Sequence, residues 1–415
     1  MRRLAFVVPR YGPEVLGGAE TFARHLAEHL PGDEFEVTVL TTCARDLVTW
    51  HNEYPAGESR VGGLRVWRFP VDHHRRDAHL FQRLTDRANR GEPLSLEEQS
   101  VWLENAAHSP ALYHHIAYHG DDYDLLILLP YLFGTTIYAS TIWPDKSLIC
   151  PCLHDEAYAY FANVRAMLHS VRGLMFISAP EQILAENKLG IYHPAARLVG
   201  VGLDPFEANG QRFRHKFGLS GPLLLYAGRL DPSKNVLELI SHFIAYRRAH
   251  PDRSLKLVLA GSGPLSLPGH PDLVPLGFLA DQDLKDAYAA ATLFCQPSLV
   301  ESFSLVLMEA WLAGTPALVH GHCPVTRYHV SQSNGGLYFA SAAEFAAALD
   351  WFLDHPHARA QMGKLGRAYV EHRFNWPEIL ERLAQAIDFW SLPQGLQQKP
   401  GTSGQFCGEA NESQP

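Results

Sequence analysis

Glu301-Ser302-Phe303-Ser304-Leu305-Val306-Leu307-Met308-Glu309 places one acid in a loop and a second inside the helix that the apolar run begins. If residues 304–313 are helical, Glu309 stands on the second turn, and the eight-residue separation of the two acids amounts to about 12 Å of rise along a helix. No single small group bridges that distance, whereas two rings joined by a linker do. The free N–H groups of Ser304, Leu305 and Val306 at the helix start would then point between the rings, at an anion. The alternative for Glu301 is an ordinary acidic helix start, which the macrodipole favours.

A second stretch supports the ligand reading. Ala227-Gly228-Arg229-Leu230-Asp231-Pro232-Ser233-Lys234 lies where the apolar run Leu223–Tyr226 ends and an amphipathic segment begins, the pattern of strand, tight turn and helix. Lys234 falls in or beside the first helical turn, where the positive end of the dipole disfavours a cation, and a nearby anion resolves that conflict. Arg229 adds a planar donor fork suited to phosphate oxygens, and Lys234 a mobile point charge. Taken alone, both cations read as solvated surface charges.

Together with the Gly17-Gly18-Ala19-Glu20 turn, the Gly261-Ser262-Gly263-Pro264 loop and the continuation Glu309-Ala310-x3-Gly314-Thr315-Pro316, these residues resemble the retaining glycosyltransferases of family 4. The motifs come in that family's order across most of the chain. The resemblance implies the GT-B fold, an α/β architecture of two Rossmann-like domains facing across a cleft. Where the family often has glycine on either side of Phe303, this chain has Ser302 and Ser304, which touches only the local fit around the donor.

Length and composition agree with two α/β domains. The 415 residues exceed one typical core, and 47% hydrophobic with 19% charged residues is ordinary for a globular protein. The net charge of −9 argues against broad nucleic-acid binding. Of six cysteines only Cys150 and Cys152 are close, without the spacing of a zinc site, so free buried thiols are expected. Met1-Arg2-Arg3 and Leu4–Val8 read as a first strand rather than a signal peptide. The apolar stretch around Leu125–Phe133 is far too short to span a bilayer, so any membrane contact is expected to be peripheral.

Apolar runs predict strands at Leu4–Val8, Phe35–Leu40, Leu64–Phe69, Leu125–Leu129, Leu148–Cys152, Leu174–Ile177 and Arg197–Gly200. In the second half they fall at Leu223–Ala227, Leu255–Ala260, Leu273–Leu276, Leu293–Gln296 and Ala317–His320. The expected organisation is an acceptor-side domain over 1–203 and a donor domain over 204–375. A helix over 376–391 crosses back to the first domain, and a disordered tail covers 392–415. Residues 73–119 form a helical insertion that, by fold analogy, shapes the acceptor side. His73-His74 and His114-His115 do not read as metal ligands, because neighbours on a helix point in different directions.

The resemblance also implies roles. Arg229 and Lys234 hold the diphosphate of a nucleotide-sugar donor, assisted by the N–H groups of Ser304–Val306. Glu309 binds the ribose hydroxyls, and Glu301 holds the hydroxyls of the donor sugar. His154, after the run Leu148–Leu153, faces that sugar, its bland alternative being a hydrogen-bonded histidine at a strand end. Gly17, Gly18, Gly261 and Gly263 let backbone approach the ligand, and Gly277 and Phe278 lie beside the base. No cofactor or metal is expected. The partners are the donor and a glycan or lipid-linked acceptor, in a cytoplasmic setting that touches the inner membrane face at most. The family retains anomeric configuration; no nucleophile for double displacement stands out here, so same-face attack is favoured. An oxidoreductase reading loses its main signature, because Pro9–Gly18 after the first strand holds no Gly-x-Gly-x-x-Gly turn. A GT-B epimerase or phosphorylase, or a non-catalytic donor-binding subunit, is the remaining alternative.

Overall fold

The computed structural model describes residues 1–393 except Leu16 and Arg75; the tail expected from Leu392 lies outside the described residues from position 394 onward. The first half is built from β1 (Arg2–Val7), α1 (Gly18–His29), β2 (Phe35–Thr42), β3 (Gly57–Val61), β4 (Leu64–Phe69), α2 (Ala78–Asn89), α3 (Leu96–Glu104), α4 (Pro110–His119), β5 (Leu125–Leu128), α5 (Gly134–Ser140), β6 (Ser147–Ile149), α6 (Ala162–Ser170), β7 (Gly173–Phe176), α7 (Ala179–Asn187) and β8 (Ala196–Leu198). The second comprises α8 (Gly210–Phe217), β9 (Leu223–Ala227), α9 (Val236–Ala249), β10 (Lys256–Ala260), β11 (Leu273–Gly277), α10 (Asp281–Ala290), β12 (Leu293–Gln296), α11 (Leu305–Leu312), β13 (Ala317–His320), α12 (Pro324–Ser333), β14 (Gly336–Phe339), α13 (Ala342–Asp354), α14 (Pro356–Arg373) and α15 (Trp376–Ser391).

The strands form two sheets. An eight-stranded one has the order β3-β4-β2-β1-β5-β6-β7-β8, and a six-stranded one the order β11-β10-β9-β12-β13-β14. Pairing is parallel apart from the edge strand β3, which runs antiparallel to β4. Helices cover both faces, which is why central strands such as β5 and β9 are unbroken apolar runs with every residue buried.

Two differences from the expected strands have local causes. β6 stops at Ile149 rather than Cys152, since Cys152 takes a left-handed φ of 53° and turns the chain toward His154. β3 and β14 carry no long apolar run and escaped the pattern reading.

Two strips of chain join the halves. The first leaves β8 through Gly202 and Leu203. The second returns after α14, where Leu203 N–H donates to the Phe374 carbonyl at 2.8 Å and Leu203 pairs in parallel with Asn375. α15 then packs on the first half. Ile379, Leu383 and Ile387 belong to the same apolar cluster as Phe6 of β1 and Trp311 of α11. The Trp390 indole N–H donates to the Ala195 carbonyl at 2.8 Å, and Arg172 Nε donates to the Trp390 carbonyl at 2.7 Å. At the other end of the helix, Trp376 stacks on His29 with ring centres 3.8 Å apart.

The segment between β4 and β5 folds as three helices. Trp102 of α3 is buried between Phe81 of α2 at 5.2 Å and Tyr158 at 4.5 Å, so this insertion cements the loop that follows His154. Among the described residues, no helix is long and apolar enough to cross a membrane.

Candidate active site

The two acids of the opening stretch sit in different surroundings. Glu301 Oε1 accepts from Lys234 Nζ at 2.7 Å and from Gln296 Nε2 at 3.0 Å. Burial pushes the Glu301 carboxyl up. The charge and hydrogen bond of Lys234, with His154 across the cleft, outweigh burial and hold it below the usual carboxylate range. Glu301 is therefore no helix cap; it is the counter-charge of Lys234. Lys234 closes a 3₁₀ turn, Pro232–Lys234, begun by the Asp231 side chain accepting from Ser233 N–H, and Asn235 in left-handed geometry then starts α9.

Ser304 also has a left-handed φ, 77°, and its hydroxyl donates to Gln296 Oε1 at 2.6 Å instead of capping α11. The first N–H groups of α11, at Leu305 and Val306, thus keep no side-chain cap and remain donors for an incoming anion. Gln296, at the end of β12, links both events, since one amide holds Ser304 and Glu301 together.

Arg229 is exposed, its Nη1 3.2 Å from Asp231 Oδ2. Its carbonyl accepts from the Tyr226 hydroxyl at 2.7 Å, and the charges of Glu301 and Arg229 both act on that phenol, which places the two groups around it. Three loops stack beside them: Gly228 N–H donates to Ala260 O at 3.0 Å, Leu230 N–H to Ser262 O at 2.9 Å, and Gly261 N–H to Gly277 O at 2.8 Å. A Cβ at Gly261 would lie 1.8 Å from the Gly228 carbonyl and one at Gly263 2.1 Å from that of Leu230, so no side chain fits either position. Gly277 has φ 67°, and Phe278 beside it is exposed.

Glu309 is half-buried on α11, and its Oε2 accepts from the fully buried Tyr288 hydroxyl at 2.9 Å. Desolvation pushes its carboxyl up to about 7. A raised carboxyl contributes stability that is complete below its unfolded value and lost as pH rises through about 7. The ribose-binding role that the resemblance implies for Glu309 would need the ionised form, which accepts from two hydroxyls at once. Donor binding is expected to weaken about tenfold from pH 8 to pH 6, with Glu309→Gln flattening that profile while raising the melting temperature at pH 8. Isothermal titration with the nucleotide at both pH values checks this.

The first half brings its own groups to the C-terminal edge of its sheet. Glu181, fully buried on α7, accepts from Leu153 N–H at 2.7 Å and Ile177 N–H at 2.8 Å, tying the ends of β6 and β7 together. Desolvation pushes this carboxyl up to about 7 against those bonds. His154 follows directly, with Nδ1 3.6 Å from Glu156 Oε1, the atom to which Tyr131 donates at 2.6 Å. Glu156 feels the charge of Lys234 and Glu301 that of His154, so this loop faces the Lys234–Glu301 pair across the cleft. A direct bond spans the halves there, Ser178 Oγ donating to Ser302 O at 2.7 Å.

Gly18 is the first residue of α1, with Gly17 just before it. A Cβ on Gly17 would meet the Glu20 carboxylate at 2.2 Å, which is itself paired with buried Arg10 at 2.5 Å. Gln296, Tyr288, Tyr131, Glu156 and Glu181 escaped sequence reasoning. Only Gln296, a polar residue ending the buried strand Leu293–Gln296, left a local signal.

Two mostly parallel sheets facing across this cleft define the GT-B fold, and residues 208–369 match the family model described as glycosyl transferases group 1. Mannosylfructose-phosphate synthase of Agrobacterium fabrum is 26% identical over 199 residues, 44% of this chain and 44% of that protein. In such alignments the chain spans about half the length of the curated relatives it matches. Among solved structures, sucrose-phosphate synthase from Thermosynechococcus elongatus superposes with a TM-score of 0.69 at 18% identity, covering 94% of this chain and 98% of that one. Anabaena Alr3699/HepE in complex with UDP-glucose gives 0.65 at 16% identity, covering 94% and 100%.

Proposed function

We propose that the protein is a retaining glycosyltransferase of the family 4 type, moving a sugar from a nucleoside diphosphate sugar to the hydroxyl of a glycan or lipid-linked acceptor. The observation that carries this reading is the Lys234–Glu301 pair beside the uncapped start of α11, with Glu309 on the same helix. Breaking the bond to the anomeric carbon puts negative charge on the departing diphosphate. Lys234, the exposed fork of Arg229 and the N–H groups of Leu305 and Val306 are fixed in advance to receive it. Glu301, kept ionised by Lys234, accepts donor-sugar hydroxyls, and Glu309 accepts those of the ribose.

His154 approaches the donor sugar from the first half, on a loop held by Glu181 and by the Trp102–Tyr158 stack. Through that stack the insertion reaches the acceptor side. Attack from the face the diphosphate leaves passes the acceptor's proton to that group and needs no protein nucleophile. UDP-glucose in the Anabaena neighbour favours a UDP-sugar donor. Assembly of envelope polysaccharide or glycolipid, at the membrane surface, is the setting this chemistry suits.

The test is a screen of UDP-, GDP- and ADP-sugars by thermal shift and donor hydrolysis. One nucleotide series is expected to raise the melting temperature saturably and to turn over faster with acceptor present; failure of all three series to bind sinks the reading.

A further inference from the structure

Three polar groups in the first half are buried without a hydrogen-bond partner at one place. Arg68, near the C-terminal end of β4, is 4% exposed, and its Nη1 has no partner among the described residues. Thr41 is its register neighbour on β2, 0% exposed with an unpartnered hydroxyl. Tyr11, just beyond β1, is 1% exposed, and its hydroxyl is likewise unpartnered. Strand alternation puts Thr41 on the face of Val39 and Arg68 on that of Val66, the side of the sheet where Tyr11 packs with them in one cluster. Arg68 and Tyr11 act electrostatically on one another.

A buried guanidinium ordinarily has a carboxylate or a set of carbonyls, because an unpaired buried charge is costly. Among the described residues no hydrogen bond reaches Arg68 Nη1, and the carboxylate of Glu14 acts on the guanidinium through its charge alone. The ring of Tyr54 lies over it at 4.3 Å, and burial pushes the guanidinium below its ordinary value. Tyr54 is half-buried and donates its hydroxyl to Glu14 at 2.8 Å, on the loop between β1 and α1. Its ring therefore lies over Arg68 and is tied to a surface carboxylate.

A planar donor fork flanked by two hydroxyls is a complement for an oxyanion. The cluster sits at the C-terminal edge of the sheet, the edge that carries His154 and Gly17 and the one along which open parallel sheets bind ligands. We infer that Arg68, Thr41 and Tyr11 form an oxyanion subsite in the first half that takes a phosphoryl or carboxylate group of the acceptor, with Tyr54 as its movable cover. That the ligand is the acceptor rests on the transferase reading; that it is an oxyanion does not.

The experiment uses the full chain and inorganic phosphate at constant ionic strength, with chloride as control. Saturable phosphate binding by calorimetry is expected for the wild type and is lost in Arg68→Gln. Thr41→Val and Tyr11→Phe, near-isosteric changes that keep the proposal testable should Arg68→Gln not fold, are expected to weaken it about 2–10-fold. UDP affinity should stay within twofold throughout. With a turned-over donor, wild type is expected to prefer a sugar phosphate or a uronic acid over the neutral sugar by at least about tenfold in KM, the better of the two naming the anion, and the variants to lose that preference.

Phosphate binding that is absent, or equal in all variants, overturns the subsite, as does a phosphate-soaked crystal showing only water on Arg68 Nη1. Variant-dependent phosphate binding without transfer from any donor upholds the subsite and removes the transferase reading. Transfer that ignores acceptor charge does the reverse.

Discussion

Lys234→Ala is expected to lower kcat for sugar transfer by about 10²–10³-fold, the usual consequence of losing one preorganised group facing developing charge. The loss goes beyond the missing cation. Lys234 Nζ lies 2.7 Å from a Glu301 carboxylate that is largely shielded, so the alanine also leaves an unpaired acid beside the diphosphate, where it repels the leaving group. Glu301→Gln removes that repulsion. The double variant is therefore expected to be less impaired than the product of the two single losses, because the groups act as a unit. Steady-state kinetics at saturating donor, with melting curves to verify folding, measure the effect; Lys234→Ala activity within threefold of wild type would remove the pair from the chemistry.

Trp390→Ala is expected to cost about 3–5 kcal/mol, the range for deleting a large aromatic from a packed core. The ring is 0% exposed, and its indole N–H is bonded to Ala195. It lies so close over Gly173 that a Cβ there would stand 2.3 Å from the indole nitrogen. Truncation opens a cavity that α15 cannot refill, since Arg172 holds the backbone at that point. Trp390→Phe keeps most of the apolar volume and is expected to cost about 1 kcal/mol for the lost hydrogen bond, plus the reduced ring size. Urea unfolding followed by circular dichroism separates the two variants; equal stability of wild type and alanine would mean that α15 is not a structural part of the first half.

The contrast between what the chain displayed and what it concealed is physical. Strands such as Leu223–Ala227 and Leu293–Gln296 were legible because a strand covered by helices on both faces must be apolar throughout. β3 has the composition Gly-Glu-Ser-Arg-Val because it lies at the edge with alternate residues exposed, so no run announces it. In the site, Glu301 and Glu309 were visible through their spacing, and Arg229 and Lys234 through the turn that carries them. Gln296 showed only as a polar residue ending a buried strand, while Tyr131 bonds Glu156 from 25 positions away and Glu181 bonds Leu153 from 28, contacts that no local pattern encodes. Lys234 was expected to await an external anion; the structure supplies Glu301 from 67 positions away, so the cation is already half-neutralised before any ligand arrives.

The strips that join the halves run side by side, Leu203 against Phe374 and Asn375. A single tether would let one lobe twist freely on the other. Two adjacent ones behave like the knuckles of a door hinge, permitting a swing about one line and resisting torsion. Opening and shutting then preserve the lateral alignment of His154 with Lys234 and Glu301, and a cut in either strip should blur that alignment without unfolding the lobes.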